Sequence, residues 1–121
     1  MKASTWFVLG ACLLGACDQS PDPQVAITGG NPSKGKAAIR TYGCASCHTI
    51  PGVYGADALV GPSLDHIASR NYIGGVVQNT PANLIEWVHN PKAIDSKAAM
   101  PNVHVSQADA RDIASYLYTL R

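Results

Sequence analysis

The chain has 121 residues, with 9 Lys or Arg against 8 Asp or Glu and a formal charge of +1. Removing residues 1–16 as an export signal takes Lys2 away and leaves 8 cations against 8 anions, a balance that gives no electrostatic case for nucleic acid. About a hundred residues make one domain, and with 7% aromatics and the sole Phe, Phe7, in the leader, something other than side chains is expected to fill its centre.

Met1-Lys2 is a short positive start, and Ala3 to Leu14 is an apolar run of signal-peptide length, too short to span a bilayer. It ends Leu14-Gly15-Ala16-Cys17, which resembles the bacterial lipobox, where small residues precede a Cys that is acylated and becomes the new N-terminus. Cys17 is the expected lipid anchor. The similar Leu9-Gly10-Ala11-Cys12 would leave too short an apolar run before it. Acyl chains on Cys17 would hold the protein on the periplasmic side of the bacterial inner membrane. Residues 17–32, rich in Pro, Gly and Asp, then read as anchor and flexible tether, and 33–121 as the folded domain.

A first helix is expected from an N-cap at Ser33 to about Tyr42, ended by Gly43. From Thr49 to Asn79 the chain is rich in Gly and Pro and reads as loop, with one helical turn around Leu64 to Ser69; a loop of that length usually wraps something. Thr80 caps a second helix with Pro81 in its first turn, and Asn90-Pro91 stops it after His89. The last helix starts at Ser106, with Asp109 three residues on, and runs to Leu120 with a stripe of Ile113, Tyr116, Leu117 and Leu120. No strand-like alternation or internal repeat is visible, so the fold class is all-α.

The chemistry is concentrated in Cys44-Ala45-Ser46-Cys47-His48. Cys-x-x-Cys-His is the attachment sequence for c-type haem: each thiol adds across one vinyl group, and the next residue, His48, falls under the iron as proximal ligand. A thioredoxin-like redox pair needs a βαβ context, and a structural zinc site needs a second pair of ligands; the sequence offers neither. Met100 is the only Met beyond the leader. It precedes Pro101 between two helices and not on a helix stripe, the setting of a sixth ligand more than of a core filler. A thioether there favours ferrous iron and a high potential. His66, His89 and His104 are the rivals, His104 foremost.

Nearly all of residues 33–121 resembles class I cytochrome c domains, particularly those fused to oxidase subunit II. Gly35 and Ile39 match the family's first helix, and Ile113, Tyr116 and Leu117 match the closing helix that crosses it. Gly61-Pro62-Ser63-Leu64 resembles the segment whose Pro carbonyl accepts the proximal His N–H, which implies that Pro62 orients His48. Arg70 stands where the family has an Arg near a haem propionate, and Trp87 where relatives carry an aromatic beside the Met sulfur. Leu84 to Pro91 followed by Met100 reproduces the helix, the Asn-Pro stop and the ligand loop.

The resemblance implies one covalent haem c and a carrier of single electrons, not an enzyme, working between a redox protein donor and acceptor in a respiratory chain or as a subunit of a respiratory complex. Lys92 and Lys97 are candidates for contacting an acidic partner. The alternative is a peroxidase-like or gas-binding haem protein with an open sixth position.

Overall fold

The computed structural model describes residues 23–121; its helices are α1 (Pro23–Thr28), α2 (Pro32–Thr41), α3 (Pro81–His89), α4 (Pro91–Ile94) and α5 (Gln107–Leu117). Two strands, β1 (Tyr72–Ile73) and β2 (Val77–Gln78), and short 3-10 turns at Cys44–Ser46 and Ile67–Ser69 complete it. Among the described residues no helix is long and apolar enough to cross a membrane.

The packing of α2 on α5 sets the frame. Gly35 and Ile39 are the buried residues of α2, and Ala110, Ile113, Ala114 and Leu117 are among those of α5. A Cβ on Gly35 would lie 1.9 Å from the Asp112 carbonyl oxygen, so any larger residue would force the two backbones apart. The N-cap of α2 is Asn31, whose Oδ1 accepts the Lys34 N–H at 3.0 Å, and not Ser33. Asn caps as well as Ser, and Pro32 behind it suits the first helical position, where its missing N–H costs no hydrogen bond.

Ser106 caps α5 as its sequence predicts: Oγ accepts the Asp109 N–H at 3.1 Å and donates to Asp109 Oδ2 at 2.9 Å. The Tyr42 hydroxyl donates to the same carboxylate oxygen at 2.7 Å and so ties the end of α2 to the start of α5. The helix ends at Leu117, short of Leu120, because the chain turns there and the Leu120 carbonyl accepts the Ala68 N–H at 3.1 Å.

Thr80 caps α3 by accepting the Asn83 N–H at 3.2 Å, and Leu84 and Val88 face the core. The expected stop at Asn90-Pro91 is a corner: Asn90 leaves helical geometry, with φ −152°, and Pro91 opens α4 at once. The residues read as tether likewise contain a helix, α1, held by a buried hydrogen bond between the Thr28 and Ser115 hydroxyls. Asn31 N–H donates to Asp112 Oδ1 at 2.7 Å just beyond it.

The long loop departs from an all-helical reading, with an isolated bridge between Thr49 and Asp57 and a short hairpin. Tyr72 pairs with Gln78 and Ile73 with Val77 in a minimal antiparallel hairpin, too short for alternation to reveal. The helical turn expected over Leu64 to Ser69 is confined to Ile67–Ser69. Asn79 fastens this region: its Nδ2 donates to the carbonyls of Ile67 at 2.8 Å and Arg70 at 2.9 Å, while its Oδ1 accepts from the fully buried Tyr118 hydroxyl at 2.8 Å. Burial pushes the Tyr118 phenol up to about 12.

Candidate functional site

Gly43, with φ 72°, turns the chain out of α2 into the Cys44–Ser46 turn. The N–H groups of Cys47 and His48 both donate to the Cys44 carbonyl, at 3.2 and 3.0 Å. The motif is thus wound tightly upon itself, and it opens onto a cavity of about 390 Å³. Cys44, His48, Pro62, Arg70, Trp87 and Met100 are all in the cavity walls, together with the buried Ile39, Leu84, Ile113 and Leu117. Cys47 is half-buried beside it and is not a wall residue. Cys17 lies outside the described residues.

Nδ1 of His48 is 2.7 Å from the Pro62 carbonyl oxygen. A carbonyl only accepts, so the ring donates from Nδ1 and the neutral imidazole keeps its lone pair on Nε2. The neighbouring Gly61 gives its N–H to the Cys47 carbonyl at 2.6 Å. A Cβ on Gly61 would stand 2.5 Å from His48 Cε1, so this close passage of chain over ring requires glycine.

Arg70 is a wall residue whose Nη2 donates to the carbonyls of Ser63 at 2.5 Å and Asp65 at 2.9 Å, which braces the loop after Pro62. The Trp87 indole closes over Gly74, where a Cβ would come within 2.5 Å of its ring. His66, His89 and His104 are absent from the cavity walls. His66 is exposed beside Asp65 at 3.4 Å, and the Nδ1 of His89 is 2.7 Å from the Val105 carbonyl. Of Met100 and these three histidines, Met100 alone lines the same cavity as His48.

Burial pushes the Cys44 thiol up; a backbone hydrogen bond at Cys44 acts against this, and nearby Cys47 adds to it. A thiol-disulfide catalyst needs the opposite, a thiol pulled down towards thiolate. Among the described residues no group of three or more His, Cys, Asp or Glu could hold a metal ion, which leaves the zinc reading without ligands. An apolar cavity with a thiol, an imidazole nitrogen and a thioether in its walls does fit a covalently attached iron porphyrin.

Helices around an apolar cavity, with a Cys-x-x-Cys-His motif at its edge, define a c-type haem protein. The family model for cytochrome c matches residues 32–121, and the chain belongs to the cytochrome c family. It is therefore an electron-transfer protein of a family that binds haem c covalently, and whose domains typically are electron carriers working outside the cytoplasm. It is also similar to cytochrome c oxidase subunit 2 of Alkalihalophilus pseudofirmus, at 26% identity over 90 residues, which cover 74% of this chain and 25% of that protein. The chain thus spans about a quarter of that relative's length.

Three contributors around the site have no signal in the sequence. Asn79 and the Tyr42–Asp109 pair act across large sequence separations and leave no local signal. Gly61 sits inside a motif that was read for its proline, and its own role is set by the ring it must clear.

Proposed function

We propose that this protein is a lipid-anchored monohaem cytochrome c that carries single electrons in a respiratory chain, or to and from a membrane-associated oxidoreductase. Cys44 and Cys47 attach the haem, and His48 and Met100 ligate its iron. The observation that carries this reading is that Cys44, His48 and Met100 share the walls of one apolar cavity. When bound, the haem supplies a one-electron couple; the residues around it determine the ease and direction of transfer.

Pro62 holds the His48 ring by the bond to Nδ1, which keeps Nε2 available and fixes the ring's rotation. The Met100 thioether favours the ferrous state and raises the potential. Ile39, Leu84, Ile113 and Leu117 exclude water, so little solvent must reorganise when the charge changes. With both axial positions filled there is no position for a substrate, which separates this carrier from the open-site alternative. The similarity to an oxidase subunit supports a terminal oxidase as one electron acceptor. Acylation of Cys17 would keep the carrier on the periplasmic side of the inner membrane.

The test is Met100→Ala in the matured holoprotein. The ferric protein is expected to lose its far-red sulfur-to-iron band, and its potential is expected to fall. An unchanged spectrum and potential would sink the assignment. Cys17→Ser is expected to release the protein from membranes; continued retention would assign the attachment to a protein partner.

A further inference from the structure

Among the described residues, no main-chain to main-chain hydrogen bond involves residues 99–105, the loop that carries Met100. Side chains hold it instead, and they come from one corner of the fold. Nζ of Lys92, on α4, donates to the Ala98 carbonyl at the near end. Asn102 Nδ2 donates to Asn90 Oδ1 at 3.2 Å in the middle. At the far end His89, the last residue of α3, donates from Nδ1 to the Val105 carbonyl at 2.7 Å. Ala98 and Val105 are buried, whereas Ala99 and Pro101, on either side of Met100, are exposed. The loop is gripped at its ends, with the Asn102–Asn90 bond as a further tie between them.

A thioether can leave the iron only if the loop that carries it leaves the cavity wall. That movement opposes the ties at Ala98 and Val105, and each tie then counts towards the closed state. A hydrogen bond of this kind shifts such an equilibrium by about tenfold. We propose that His89 and Lys92 are positioning residues for Met100, fastening the two ends of its loop and so setting how readily the thioether is displaced. Neither residue lines the cavity, and both act through the loop backbone. Lys92 is thereby tied within the molecule while remaining an exposed residue. The inference rests on the reading of Met100 as sixth ligand.

The test uses the full-length ferric holoprotein and imidazole as the competing ligand, since imidazole binds only where the thioether has left. His89→Leu and Lys92→Leu are each expected to raise the apparent affinity for imidazole about tenfold and to weaken the far-red band. His89→Asn keeps a donor near the Nδ1 position and should stay within about threefold of wild type. Equal loosening by Asn and Leu would assign the effect to bulk and overturn the proposal. If a leucine variant fails to mature, His89→Gln, which displaces the donor while remaining polar, should show the same rise. Met100→Ala separates the two levels. If it raises imidazole affinity strongly while the His89 and Lys92 variants keep wild-type values, the positioning role alone fails. If Met100→Ala itself changes nothing, the ligand reading fails and this inference with it.

Discussion

The cavity wall that carries His48 and the wall that carries Met100 are built by different means. Around His48 the main chain holds itself: His48 N–H bonds to the Cys44 carbonyl, Gly61 N–H to the Cys47 carbonyl, and Leu64 N–H to the Thr49 carbonyl at 2.9 Å, with the Pro62 carbonyl on the ring. Around Met100 the main chain makes no such bonds, and Lys92, Asn90 and His89 supply the restraint. A wall made of backbone bonds tolerates side-chain change except where a side chain has no room. A wall held by side chains can be loosened or tightened one residue at a time, which would suit Met100 in its proposed role as a ligand.

The sharpest way to break this comparison is at the exception, Gly61. Gly61→Ala would put a Cβ 2.5 Å from the His48 ring, and either the loop or the ring must move. Such overpacking costs about 1–3 kcal/mol. Denaturant unfolding of the holoprotein should show that loss, and redox titration should show a shifted potential. If both stay at wild-type values, the His48 wall is not the rigid one.

A smaller effect is expected where the loop around the site is fastened from below. Tyr118→Phe deletes the hydroxyl that Asn79 accepts, at a cost of about 1 kcal/mol at neutral pH. Its pH dependence is more telling. Because burial pushes the phenol up to about 12, the folded chain keeps a proton that the unfolded chain gives up near its ordinary value of 10. The stabilisation is complete below about pH 10 and is lost as pH rises through about 12. Stability measured across that window should fall more gently in Tyr118→Phe than in wild type. Equal slopes would remove Tyr118 from the network.

What could be read from the sequence follows the range of each interaction. Thr80 and Ser106 were legible as caps because a cap acts within three residues, on Asn83 and Asp109. The cap of α2 was misplaced because Asn31 and Ser33 are both competent, and only the fold chooses. Cys44, Cys47 and His48 are legible as a contiguous motif, and Met100 as a lone Met in a loop. That Met100 and His48 face one space is a property of the packed helices. The helix α1 reads as tether in sequence because Thr28 is held by Ser115, at the other end of the chain. That the exposed Lys92 also bonds to the Ala98 carbonyl has no local signal in the sequence.

The smallest expected effect lies where the Met100 loop joins α5, and it has the opposite pH sign. The hydroxyls of Tyr42 and Ser106 hold the Asp109 carboxyl below the ordinary carboxylate range, the Tyr42 bond having the larger influence. A depressed value means that the folded chain stays ionised where the unfolded chain already takes up a proton. The contribution is therefore present above the ordinary carboxylate range and lost as pH falls through the folded value. Asp109 is only partly buried, so the gain is modest and shrinks further with added salt. Asp109→Asn should lower stability slightly at neutral pH and flatten part of its acid decline. Because Val105 enters α5 one residue before the Ser106 cap, the same variant should also raise imidazole affinity at neutral pH, where the carboxylate contributes, by less than His89→Leu does. A rise as large as that of His89→Leu would move the principal anchor of the loop from α3 to the cap of α5.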